Sequence, residues 1–295
     1  MEVAKKRKNN NSVLILPLLL LLLISLPSLS SASGYYGKKK HFVLIHGAGH
    51  GGWCWYKVAT LLRSKGHNVT TLDLGASGIN PKQVNQIGSI SDYYEPLMAF
   101  MASVPAKEKV ILVAHSLGGV STSVAMEKFP HKISVAVFAS ANVLSQNLSY
   151  PALLSEVNRR NMSLMDSQYF FEDGRTNRSA AILFGPKFLA TRMYQLSPPQ
   201  DLTLALSLVR PLRSFNDGEV VRKETAVTSS RNGRVPKIFI ISKNDKVIPE
   251  DLQIWMIQRS LPFDDIKVIK DSDHMLMLSQ PLKLTSHLLQ IANKY

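Results

Sequence analysis

Three short stretches, far apart in the chain, carry side chains whose chemistry fits together: Ala114-His115-Ser116-Leu117-Gly118-Gly119, Asn244-Asp245-Lys246 and Ser272-Asp273-His274-Met275. A serine hydroxyl is a poor nucleophile until an imidazole takes its proton, and the imidazole needs a carboxylate to fix its tautomer and stabilise the imidazolium. Ser116, His274 and Asp245 supply those three groups in an order suited to acyl transfer. A fourth stretch, His46-Gly47-Ala48-Gly49-His50-Gly51-Gly52, can bring backbone N–H groups to a developing oxyanion. The expected donors are Ala48 and Leu117, the latter directly after the serine. Gly47, Gly49 and Gly52 also fall at the G-x-G-x-x-G spacing of a dinucleotide phosphate loop, a reading that ranks below the hydrolase one because it leaves the other three stretches unexplained.

Taken singly, each stretch has a plainer reading. Ser116 could be a helix N-cap, Asp245 a turn residue and His274 a partly exposed histidine. Asp73, Asp271 and Asp273 are rival acids, but Asp73 comes early in the chain and the other two share the histidine's own segment. What favours the set is its placement after apolar runs. The serine follows residues 110–114, the acid follows 237–242 and the histidine follows 266–269. Trp53 and Trp55 read as packing residues, Met275 to Leu278 as core, and Cys54 as a small buried hydrophobe. His41, His67, His131 and His287 have no metal-ligand spacing, so neither metal nor organic cofactor is expected.

These runs, with others at 41–46, 69–74 and 133–138, are continuous and rich in β-branched residues, which suits strands buried on both faces of a parallel sheet. Helix-like stretches at 55–65, 93–101, 117–129, 252–260 and 282–293 alternate with them. The alternation predicts an α/β fold with a mostly parallel, doubly wound sheet. The rhythm breaks over residues 142–234, where helix-like pieces occur without a convincing strand. That segment is expected to be a cap inserted between core segments 34–141 and 235–295.

The 295 residues are 45% hydrophobic and 19% charged, a globular composition. The formal charge is +14. Lys5, Lys6, Arg7 and Lys8 against Glu2 account for +3 of it, leaving about +11 for residues 34–295. The basic residues form no aromatic-interleaved stripe, and no nucleic-acid partner is expected. The basic start, the apolar run at 13–26 and the small residues at 30–33 have the order of a secretory signal peptide over residues 1–33, with no stable membrane anchor after cleavage. Sequons at Asn68, Asn147, Asn161 and Asn177 agree with a secretory, extracellular or vacuolar destination. Asn68 opens what reads as a buried strand and is the poorest candidate. A single cysteine excludes an intramolecular disulfide.

From His41 to Tyr295 the chain resembles the plant methylesterase family of α/β-hydrolases, which includes methyl salicylate and methyl jasmonate esterases, polyneuridine aldehyde esterase and hydroxynitrile lyases. The resemblance is carried by residues 41–48, by Gly52-Trp53-Cys54-Trp55-Tyr56-Lys57, by Leu72-Asp73-Leu74-Gly75-Ala76-Ser77-Gly78, by Phe184-Gly185-Pro186-Lys187-Phe188-Leu189-Ala190, by Ser207-Leu208-Val209-Arg210-Pro211, and by Asp273-His274-Met275. It implies an α/β-hydrolase fold, a triad at Ser116, Asp245 and His274, oxyanion donors at Ala48 and Leu117, and a small ester as substrate. Methyl salicylate, methyl jasmonate, methyl indole-3-acetate and alkaloid β-keto esters are the types implied, and a homodimer is left open. Two rivals stand beside that expectation. The family's lyases carry Thr where Gly47 stands and Lys where Met275 stands, and a hormone receptor with vestigial hydrolysis would keep the same fold. Ala114 in place of Gly, the leader, and Phe138-Ala139-Ser140-Ala141-Asn142 in place of a Phe-Met-Pro ending depart from the family pattern.

Overall fold

The computed structural model describes residues 38–171 and 179–295. The expected leader and the Asn177 sequon lie outside these residues. Six parallel strands form the main sheet: β1 (His41–Ile45), β2 (Asn68–Leu72), β3 (Val110–Ser116), β4 (Ile133–Ala141) and, late in the chain, β8 (Lys237–Ser242) and β9 (Asp265–Ile269). Their order is β2-β1-β3-β4-β8-β9. The chain leaves β1 toward β2 on one side and returns to β3 on the other. The loops after β1 and β3 therefore part at the switch point of the sheet, where a crevice opens at the carboxyl ends of the strands.

Alternate residues of β1 feed two cores. Val43 and Ile45 pack with α2 (Ile90–Ser103), α3 (Gly118–Lys128) and α8 (Glu250–Arg259). Phe42 and Leu44 pack with α1 (Tyr56–Ser64), α9 (Leu276–Ser279) and α10 (Pro281–Lys294). Helical spacing places Val58 and Leu62 on one face of α1 and Leu284, Leu288 and Ile291 on one face of α10, all buried. Each such side chain contributes about 1.5–3 kcal/mol through burial. Pro281 starts α10, where its missing N–H deprives the helix of no bond.

Two sequence expectations need correction. Strands β2 and β9 are sheet edges with partly exposed residues, so they are not buried on both faces. Asn68 is accordingly exposed at the start of β2. The segment between β4 and β8 also contains strands. Together with α4 (Tyr150–Arg159), α5 (Pro186–Phe188), α6 (Pro199–Leu208) and α7 (Gly218–Glu224), it holds a three-stranded antiparallel sheet of β5 (Gln168–Phe171), β6 (Ser179–Leu183) and β7 (Leu212–Arg213). All four residues of β5 are exposed and β7 has two residues. These two edges do not read as buried strands, and the run Ala180 to Leu183 in the middle strand β6 is too short to be told from a helical segment by periodicity.

Candidate active site

Strand β3 ends at Ser116, whose backbone turns into the left-handed region at φ 52° before α3 begins. A non-glycine residue there is uncommon, and this sharp strand-to-helix turn presents the serine hydroxyl at a helix N-terminus. The turn needs small neighbours. A Cβ at Gly118 would stand 2.5 Å from the His46 carbonyl oxygen. Ala114 is accommodated because it lies two residues upstream within β3, buried and paired with both Ile45 and Phe138.

His274 sits in the turn between β9 and α9, and Asp245 in the turn after β8. His274 Nε2 lies 3.1 Å from Ser116 Oγ, and His274 Nδ1 lies 2.7 Å from Asp245 Oδ2. Asp245 Oδ1 accepts from the Val247 and Ile248 backbone N–H groups at 2.7 and 2.8 Å, and Oδ2 also accepts from the Ser140 hydroxyl. An oxygen set with this many donors fits a carboxylate, so His274 Nδ1 donates and Nε2 offers its lone pair to the serine hydroxyl. All three side chains are buried. The histidine is braced from below, where His115 Nε2 donates to the His274 carbonyl at 2.8 Å and the two rings pack 4.6 Å apart. Burial pushes the pKa of His115 well down, so it is a neutral support.

The rival acids have other duties. Asp73 accepts from the Gly52 and Ile79 N–H groups beneath the glycine-rich loop. Asp271 pairs with Lys283 at 3.0 Å. Asp273 accepts from Leu196 N–H, the Ser197 hydroxyl and Met275 N–H, tying the histidine turn to the segment after α5, and burial raises its pKa despite those donors.

The glycine-rich loop is held by two histidines to which the sequence alone assigned no part. His46 Nε2 accepts from Leu74 N–H at 3.0 Å, so its Nδ1 carries the proton and donates to the Gly47 carbonyl at 2.7 Å. That carbonyl and the Ala48 N–H belong to one planar peptide and point oppositely, so fixing one aims the other. His50 holds the next peptide: its ring bonds the Ala48 carbonyl through Nδ1 at 2.8 Å and the Tyr194 hydroxyl through Nε2 at 2.6 Å. Among the described residues neither the Ala48 nor the Leu117 N–H has a protein acceptor. Beside Leu117 opens a cavity of about 460 Å³ whose walls are apolar at Leu154, Ile182 and Phe215 and polar at Asn158, Arg213 and Asn216. A cavity of about 480 Å³ at Lys38, Lys40, Lys107 and Lys109 lies at the other end of the strands and lacks these groups.

Trp55 is fully buried, Trp53 stacks on His50, Cys54 is buried, and Met275 to Leu278 belong to the core. No group of three metal-ligating side chains occurs among the described residues.

A doubly wound parallel sheet with a strained serine at its switch point, hydrogen-bonded in series to a histidine and an aspartate, defines the architecture of a serine hydrolase. The chain belongs to the alpha/beta hydrolase family, which it matches over residues 42–287. It is 52% identical to methyl jasmonate esterase 1 of Vitis vinifera over 88% of this chain and 98% of that protein. The crystal structure of tomato methylketone synthase I with 2-tridecanone has 49% identity and a TM-score of 0.83, over 87% of this chain and 99% of the other. Polyneuridine aldehyde esterase has 41% identity and a TM-score of 0.81, over 86% and 100%.

Proposed function

We propose that this chain is a carboxylesterase that hydrolyses methyl esters of small plant hormones or specialised metabolites. The observation that carries the reading is the unbroken series Ser116 Oγ, His274, Asp245 with hydrogen-bond distances of 3.1 and 2.7 Å. Ser116 attacks the ester carbonyl as His274 Nε2 takes its proton. The oxyanion forms against the Ala48 and Leu117 N–H groups, each worth about 2.7–4 kcal/mol in such a site. His274 then protonates departing methanol and activates water to hydrolyse the acyl-enzyme. The cavity beside Leu117, with both apolar and polar walls, suits an acyl part that carries polar groups.

The esterase and methylesterase names among the relatives agree with this chemistry. The likeness to methylketone synthase keeps β-keto esters among the candidate substrates; their hydrolysis products can lose carbon dioxide spontaneously. A lyase reading lacks support because Gly47 offers no hydroxyl and Met275 is an apolar core residue without charge. A receptor role has no observation in its favour while all three triad groups are in register. Routing through the secretory pathway is part of the proposal, on the strength of the N-terminal sequence and the exposed Asn68, Asn147 and Asn161. Among the described residues no helix is long and apolar enough to cross a membrane.

The test is methanol release from methyl salicylate, methyl jasmonate, methyl indole-3-acetate and an alkaloid β-keto ester, beside Ser116→Ala. The variant is expected to lose about 10⁴-fold or more in kcat. Cyanide release from mandelonitrile or acetone cyanohydrin without methanol release would replace the esterase by the lyase.

A further inference from the structure

The stretch Phe138-Ala139-Ser140-Ala141-Asn142, where the chain departs from its family pattern, lies against the triad. Strands β3 and β4 run in register from Ile111 opposite Val135 to His115 opposite Ala139, and then Ser116 stands opposite Ala141. Ser140 is the extra residue. It has φ 43°, in the left-handed region that serine seldom occupies, and it is fully buried. A bulge of this kind re-aims a side chain that regular pleating would have placed elsewhere. Here it points the Ser140 hydroxyl at Asp245 Oδ2, the same oxygen that receives His274 Nδ1–H. The other oxygen, Oδ1, is taken by two backbone N–H groups.

We propose that Ser140 is a positioning residue of the site: its hydroxyl orients Asp245 and shares the charge of Oδ2 with His274, so that the imidazole stays a neutral base further into acid than beside an unshared carboxylate. The physical reason is that a carboxylate favours the imidazolium in proportion to the charge it presents, and a donor on the same oxygen reduces that charge. The other groups facing His274 do not depend on Ser140. His115 packs on it from β3, His50 acts on it from the glycine-rich loop, and Asp273 precedes it on its own turn. Both histidines are held neutral by burial, and Asp273 spends its oxygens on Leu196, Ser197 and Met275. Asp245 is the carboxylate hydrogen-bonded to His274, and among the described residues Ser140 is the other side chain bonded to it.

The proposal rests on the esterase reading for its rate measurements, and a second readout frees it from that dependence. With the full chain, kcat and KM for methyl jasmonate and methyl salicylate are measured from pH 4 to 9 in wild type, Ser140→Gly, Ser140→Ala and Ser140→Cys. The His274 ring is titrated in parallel by nuclear magnetic resonance. Glycine adopts the left-handed backbone more readily than serine, so Ser140→Gly removes the hydroxyl without straining the bulge. Expected for Gly and Ala is an acid limb of kcat/KM and a His274 midpoint moved up by about 0.5–1 pH unit. The plateau kcat should fall about 3- to 10-fold with KM unchanged, and Cys, a weak donor, should lie between. A limb and midpoint within about 0.2 unit of wild type, or moved down, in folded variants overturns the proposal. Absence of methanol release from wild type, with the His274 midpoint still moved up in Ser140→Gly, would refute the ester reading and leave the positioning role standing.

Discussion

A Cβ placed on Gly47 would stand 2.6 Å from Ser116 Cβ and 3.2 Å from Ser116 Oγ. The loop after β1 and the serine turn after β3 thus meet at a point with no room for a side chain. That close approach puts the Gly47 backbone, one peptide before the proposed donor Ala48, against the nucleophile, and it explains why the first loop is glycine at this position irrespective of backbone angle.

Substitution at Gly47 should therefore strike catalysis before stability. Gly47→Ala must push the loop away from Ser116 and move an oxyanion donor off its target, and Gly47→Thr more so. We expect kcat for methyl esters to fall about 10²-fold or more while the protein still folds. Retention of more than about half the wild-type rate by Gly47→Ala would show that the loop yields freely.

Acid should weaken the fold through its buried histidines. Burial lowers the pKa of His46 and His115, and that of His50 falls to about 3. A histidine depressed in the folded state contributes stability that is intact above its unfolded value of about 6.5 and is lost as pH falls toward the folded value. The window for His50 is thus from about 6.5 down to about 3, with a limiting slope of about 1.4 kcal/mol per pH unit for each such group. Tm measured across that range should decline steeply in wild type and less steeply in His50→Gln. A level Tm between pH 6.5 and pH 4 is the result that contradicts this account.

The core and the inserted segment are joined by a buried ion pair. Lys57 Nζ on α1 lies 2.5 Å from Asp201 Oδ2 at the start of α6, and Tyr56 donates to Oδ1 at 2.8 Å. The Asp201 side chain is fully buried. Lys57→Met leaves that carboxylate without its cation and should lower stability by about 3–5 kcal/mol, whereas the double variant with Asp201→Leu should recover most of the loss. Urea denaturation of both variants decides the matter, and equal losses would mean that the pair contributes little beyond packing.

Routing through the secretory lumen predicts glycans at exposed sequons. Asn147 lies in a tight turn and Asn161 follows α4 with φ 48°, both exposed, and Asn68 is exposed on an edge strand although its sequon partner Thr70 bonds His41 at 2.8 Å. Expressed in plant cells with its N-terminal segment, the protein should lose mass on glycosidase treatment, chiefly through Asn147 and Asn161. An unmodified protein retaining residues 1–33 would place it outside that pathway.

The three catalytic candidates were legible in the sequence because each follows a strand whose apolar run is a local signal. Buried parallel strands are marked by their own residues, and the sites at their carboxyl ends inherit that marking. Ala48 and Leu117 are proposed as oxyanion donors on the same signal, since both neighbour glycines in turns after strands. The strands β5 to β7 were not legible: β5 and β7 are exposed or two-residue edges, and the short apolar run of β6, Ala180 to Leu183, cannot be told from helix by its own residues. Nor were the roles of His46, His50, His115 and Ser140, whose side chains could have pointed anywhere until sheet order and register were known. Those four depend on partners such as Leu74, Tyr194, His274 and Asp245, up to 159 residues away. Local propensity and periodicity fix where strands and turns occur along the chain. Which imidazole carries which proton, and which hydroxyl meets the buried carboxylate, follow from long-range packing that arises only when the chain has closed on itself.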